Sequence, residues 1–148
     1  ESELPGLPRT SRAGVTADLD GDGDLDLIAL ELGGPARVWE NTLLDGTKDE
    51  VSSAPWLGVR LKGRGACGAR IELSYEVDGA QALRYAHVRT AAGFQASAPL
   101  VAHLVAKGYD RSSKAALRVV WLGGDVSELE LSALDQWIEV EHTAEEAR

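Results

Sequence analysis

Methionine is missing from this sequence altogether, and cysteine occurs once, at Cys67. One cysteine cannot close an intramolecular disulfide or build a thiolate zinc site, and it leaves the redox compartment open. The absence of Met, position 1 included, reads as the mark of a processed or excised chain. The lack of a basic-then-apolar leader therefore carries no weight against export. No apolar run approaches the roughly 18 residues of a membrane-spanning helix, so no membrane span is expected. Positive charge is scarce too: 15 Lys and Arg stand against 24 Asp and Glu, a formal net charge of −9. Nucleic acid and anionic membrane surfaces need clustered basic residues, so neither is expected as a partner. What is present is globular in kind, with 44% hydrophobic and 26% charged residues in 148. That length suits one domain, or one domain with a fragment of another.

The pattern along the chain is short, alternating and punctuated by turns. Residues 1–12 hold two prolines and no periodicity. Val15-Thr16-Ala17, Leu27-Ile28-Ala29-Leu30 and Arg37-Val38-Trp39-Glu40 read as strands, the last two separated by the turn Gly33-Gly34-Pro35. Residues 43–55 are polar, broken by Gly and Pro, and form the best boundary. Beyond it Leu57, Val59 and Leu61 alternate with polar or small residues, as do Ile71, Leu73, Tyr75 and Val77. Asp78-Gly79 predicts a hairpin returning through Ala82 to Arg89. The apolar run Leu117 to Leu122 suits a central strand, Val126 to Leu131 follows a Gly-Gly-Asp turn, and Trp137 to Val140 closes the series. Only Ala98–Ala106 and the tail from Thr143 look helical. The expected class is all-β, an antiparallel sandwich or barrel-like domain preceded by a partial propeller-type repeat. The expected division is 1–44 for the repeat, 45–55 for a linker, 56–142 for the β domain and 143–148 for a tail.

Five of the acidic residues fall in one run, Asp18-Leu19-Asp20-Gly21-Asp22-Gly23-Asp24-Leu25-Asp26. Such a density repels itself unless a cation neutralises it. Calcium takes six to eight oxygens at about 2.3–2.6 Å in flexible geometry, which carboxylates at alternate loop positions can supply. Asp18, Asp20, Asp22 and Asp26 occupy positions 1, 3, 5 and 9, and Gly23 at position 6 permits the bend. Asp24 at position 7 is expected to offer its carbonyl, with its side chain turned to solvent. Position 12 is Ala29 rather than a bidentate Glu, and the flanks are strands, so the loop is no EF-hand. A phosphoryl-transferring aspartate motif fails as well, because Asp22 stands where Ser or Thr is needed.

The loop between strands, followed by Pro35-Ala36-Arg37-Val38-Trp39-Glu40-Asn41, resembles the FG-GAP or VCBS repeat of integrin-type propellers. That resemblance implies calcium held by the side chains of Asp18, Asp20, Asp22 and Asp26 and by the Asp24 carbonyl. Trp56-Leu57-Gly58-Val59-Arg60-Leu61-Lys62-Gly63, Gly68-Ala69-Arg70-Ile71, Gly93-Phe94-Gln95 and Leu117-Arg118-Val119-Val120-Trp121 resemble the ASPIC and UnbV domain. That domain follows such repeats in cartilage acidic protein and its bacterial relatives. The departures are a short Gly63–Gly68 segment without the usual Asn, and Leu122-Gly123-Gly124 in place of Pro-Ser-Gly. One partial repeat cannot close a propeller, so the sequence is expected to be the C-terminal piece of a longer protein or a reduced relative.

No other constellation competes. His87, His103 and His142 share no metal-ligand spacing, and Cys67 has no activating neighbour. Gly63-Arg64-Gly65-Ala66-Cys67-Gly68 has GxGxxG spacing but opens into a strand, so it reads as a turn. Ser52-Ser53 and Ser112-Ser113 lack a nucleophile elbow. Trp39, Trp56, Trp121 and Trp137 are expected to pack in the core. The function implied is a non-catalytic calcium-binding module, secreted or extracellular/periplasmic, for adhesion to a protein or matrix component. A carbohydrate-binding sandwich with a structural calcium is the alternative. A hydrolase is not expected, because no acid/base pair converges.

Overall fold

The computed structural model describes residues 10–42, 54–93 and 96–143. Most of the expected linker, nearly all of the tail from Thr143, most of the N-terminal lead-in and the Phe94-Gln95 pair lie outside the described residues. Among the described residues there are twelve strands and no helix.

The first three strands, β1 (Ser11–Ala17), β2 (Asp26–Glu31) and β3 (Arg37–Trp39), form an antiparallel meander in the order β1-β2-β3. The acidic loop is the connection between β1 and β2. Ala17 pairs with Asp26, so the two strands close directly beneath the loop.

The remaining strands form a sandwich. β5 (Arg70–Val77), β6 (Ala80–His87), β10 (Ala115–Val120) and β11 (Val126–Leu131) make an antiparallel sheet in the order β11-β10-β5-β6. Facing it are β4 (Trp56–Lys62), β9 (Val101–Val105) and β12 (Gln136–Glu141), in the order β12-β4-β9. β7 (Ala91–Gly93) and β8 (Ala96–Ser97) form a small separate hairpin. Among the described residues no sheet closes into a barrel.

Alternation explains the packing. In β5 and β10 the pairs Ile71–Val119, Leu73–Leu117 and Tyr75–Ala115 are in register and all buried. Leu57, Val59 and Leu61 of β4 and Ala102 and Leu104 of β9 meet them from the opposite sheet. Residues between these positions point outward, as a period of two requires. The expected central strand at Leu117 is indeed central: β10 lies between β11 and β5. Asp78 and Gly79 both take positive φ (51° and 78°), the requirement of a two-residue type I′ hairpin.

One expectation needs correction. Ala98–Ala106 is not helical; Val101–Val105 is a strand paired with β4. Burial of Ala102 and Leu104, with Val101 and His103 less buried and Val105 exposed, follows a period of two rather than a helical stripe. The sandwich is antiparallel-rich as expected, with one parallel pair, in which β12 runs alongside β4 from Gln136–Leu57 to Glu141–Lys62. Hydrophobic alternation specifies which face a side chain takes but not which way a strand runs. Asp135 sets this pairing from a left-handed backbone (φ 59°): its N–H donates to the Trp56 carbonyl at 2.6 Å, and its Oδ1 accepts from Trp56 N–H at 3.1 Å.

Truncation should separate the two faces. Leu73→Ala, at a position with no exposed surface, should lower stability in urea by about 2–5 kcal/mol through lost burial and the residual cavity. Leu83→Ala on the exposed face of β6 should stay within about 0.5 kcal/mol.

Candidate metal centre

The acidic loop is built from side chain-to-backbone hydrogen bonds that turn the chain at every second residue. Asp18 Oδ1 accepts from Gly21 N–H at 2.8 Å, Asp20 Oδ1 from Asp22 N–H at 3.2 Å, and Asp22 Oδ1 from Asp24 N–H at 2.9 Å. These turns draw the carboxylates inward. One oxygen from each of Asp18, Asp20 and Asp22 lies within 4.8 Å of the others. That spacing is about twice a calcium–oxygen bond, so one ion could touch all three. Asp22 Oδ2 is buried and has no hydrogen-bond partner among the described residues. A buried acceptor left in that state is costly, and a cation is a natural partner for it.

Asp26 behaves differently. It is 1% exposed, and its two oxygens hold the two ends of the region: Oδ2 accepts from Leu19 N–H at 2.9 Å and Oδ1 from Asn41 N–H at 2.8 Å. Its carboxylate is not part of the triad of convergent oxygens. Asp24 also departs from expectation. Its side chain is 7% exposed rather than turned to solvent, because the loop lies down on the sandwich instead of projecting from it.

The surface beneath the loop is aromatic. Trp137 of β12 donates its indole N–H to Asp18 Oδ2 at 3.1 Å, across 119 positions of sequence. Gly23 (φ 96°) rests on Trp56 so closely that a Cβ there would come within 1.9 Å of the indole nitrogen. His103 of β9 stacks on Trp56 with centroids 5.2 Å apart and planes 15° from parallel, and Trp137 meets Trp56 edge-on at 6.1 Å. Burial holds the His103 imidazole below its ordinary pKa, against the opposing pull of the Gly23 backbone and the Asp18 and Asp24 charges. Gly58 lies under the Trp137 ring, where a Cβ would sit 2.3 Å from ring carbons.

Residues 60–147 match the family described as ASPIC and UnbV, more than half of the chain. The chain belongs to the ASPIC and UnbV family. No curated protein and no solved structure matches the chain. The ASPIC and UnbV match begins within β4 and runs through the late strands of the sandwich, whereas the acidic loop lies outside it.

Sequence reasoning brought together the loop carboxylates but not the platform supplied by the ASPIC and UnbV sandwich. Trp56, Trp137 and His103 were assigned to core or surface one by one, since nothing local links residues so far apart. Trp56 and Trp121 are buried as expected, while Trp39 and Trp137 are only half-buried. Cys67 is exposed, 3.7 Å from the Thr90 hydroxyl.

Two experiments separate the parts of this site. Asp26→Asn places an amide donor against a backbone donor and should cost about 1–3 kcal/mol in urea even with a chelator present. A double-mutant cycle of Asp18→Asn and Trp137→Phe should give a coupling of about 1 kcal/mol by the same measurement.

Proposed function

We propose that this chain is a non-catalytic calcium-binding β module that works in a secreted or extracellular/periplasmic setting, where it engages a protein or matrix component. The observation that carries the reading is the convergence of Asp18, Asp20 and Asp22, one oxygen of each within 4.8 Å of the others, together with a buried Asp22 Oδ2 that has no hydrogen-bond partner among the described residues. These three side chains would hold the ion, with the Asp24 carbonyl. Asp26, already accepting two backbone N–H groups, keeps further lone pairs for the same cation while fixing the loop's shape.

The three-stranded meander with the loop between its first two strands supports the reading of residues 1–44 as an FG-GAP or VCBS-type repeat of a cartilage acidic protein-like chain. A propeller blade has four strands, so this meander is a partial one. Calcium here acts as a scaffold ion. It neutralises carboxylates gathered only in the folded state, and so stabilises that state by mass action. Sites of this extracellular kind bind with a Kd on the order of 10⁻⁴–10⁻³ M.

Calcium at about a hundred times its Kd should therefore add about 2.7 kcal/mol, seen as a rise of several degrees in melting temperature over a chelated sample. Asp20→Ala should abolish most of that rise, and because Asp20 is exposed it should leave the chelated protein's melting point nearly unchanged. Coincident melting curves with calcium and with chelator would remove the basis of this reading.

A further inference from the structure

Between the meander and the sandwich lies a cleft of about 730 Å³. That volume is within the usual range for small-ligand sites. One wall is the edge of the acidic loop, with Asp18 and Asp20. The other carries Arg60 of β4, His87 at the end of β6, and Arg89, with Trp137 on the floor.

Two cations of this wall have no counter-ion among the described residues. Arg37, Arg70, Arg111 and Arg118 each pair with a carboxylate at 2.6–3.0 Å. Arg60 and Arg89 pair with none among the described residues, although the chain carries a net charge of −9. Arg64 and Arg84 also lack a carboxylate, but they lie outside the cleft. Arg60 lies instead over the Trp137 ring, 5.7 Å from its centroid, which holds a guanidinium in place while leaving its N–H groups available.

We propose that this cleft binds a polyhydroxylated carboxylate, a sugar acid of the uronate type. Arg60 and Arg89 take the carboxylate, for which the planar guanidinium fork is matched. The hydroxyls face Asp18 and Asp20, which offer acceptors only. The choice of hydroxyl rather than ammonium at that end rests on the calcium reading above, because a bound cation repels an ammonium and leaves hydroxyl oxygens as suitable neighbours. This mode depends on charge and not on a pair of exposed tryptophans; Trp56 is buried and Trp137 is covered by Arg60.

The test is calorimetric and saturation-transfer titration of the whole chain in millimolar calcium with galacturonate, trigalacturonate, galactose and alanine. Galacturonate should bind, with galactose and alanine at least roughly tenfold weaker. Arg60→Gln with Arg89→Gln should weaken galacturonate at least roughly tenfold without changing the melting temperature, and Arg64→Gln should not weaken it. Tighter trigalacturonate binding would identify a polymer as the source, and equal binding a free sugar acid. Galacturonate no better than galactose or alanine, or a double variant that binds as the parent does, overturns the proposal. The calcium-induced melting shift, read on the same preparation, keeps the two readings apart. A shift without galacturonate binding sinks the cleft ligand alone. An absent shift sinks the calcium reading, and with it the assignment of the hydroxyls.

Discussion

The buried carboxylate of Asp26 ties the N-terminal meander together. A charged group at 1% exposure is tolerated only where both oxygens are hydrogen-bonded, and here they accept from Leu19 and Asn41. One bond closes the acidic loop on itself. The other holds the chain just after β3 against the foot of β2, so a single side chain fixes three strands and the loop. The alternation of Asx-type turns through Asp18, Asp20 and Asp22 can then wind on a fixed base, and one oxygen of each comes within 4.8 Å of the others. Asp26 thus performs the folding work of the motif.

The second constraint is the close approach of backbone to aromatic ring. Gly23 and Gly58 each sit where a Cβ would overlap an indole, one above Trp56 and one beneath Trp137. These contacts set the loop on the sandwich at a definite height. They also explain why Asp24 is buried, since the loop has no solvent on its lower side. The loop and the domain below it are therefore one packing problem, although only the domain falls within the family match.

Much of this was legible in the sequence, for identifiable reasons. The class followed from alternation in Leu57–Leu61 and Ile71–Val77, and the hairpin from Asp78-Gly79, because a period of two and a type I′ turn each have a single structural meaning. Spacing pointed to the side chains of Asp18, Asp20, Asp22 and Asp26, of which the first three converge and Asp26 stands apart. What failed was of two kinds. Val101–Val105 is a short apolar segment, and segments of that length fit helix or strand until a partner, here β4, decides. The Trp137–Asp18 contact and the parallel β4–β12 pair join residues 119 and 79 positions apart, for which one sequence holds no local signal.

The parallel pairing of β12 with β4 has a kinetic meaning. The first strand of the sandwich finds one of its two neighbours only in the last one, with Trp56 and Asp135 separated by 79 positions. Closing so long a loop before any contact rewards it makes folding slow and leaves β4 with an open edge in the meantime. During synthesis from the N-terminus, that edge stays unprotected until nearly all of the domain has emerged. Trp137 arrives on the same late strand, so the acidic loop, made first, receives its floor last.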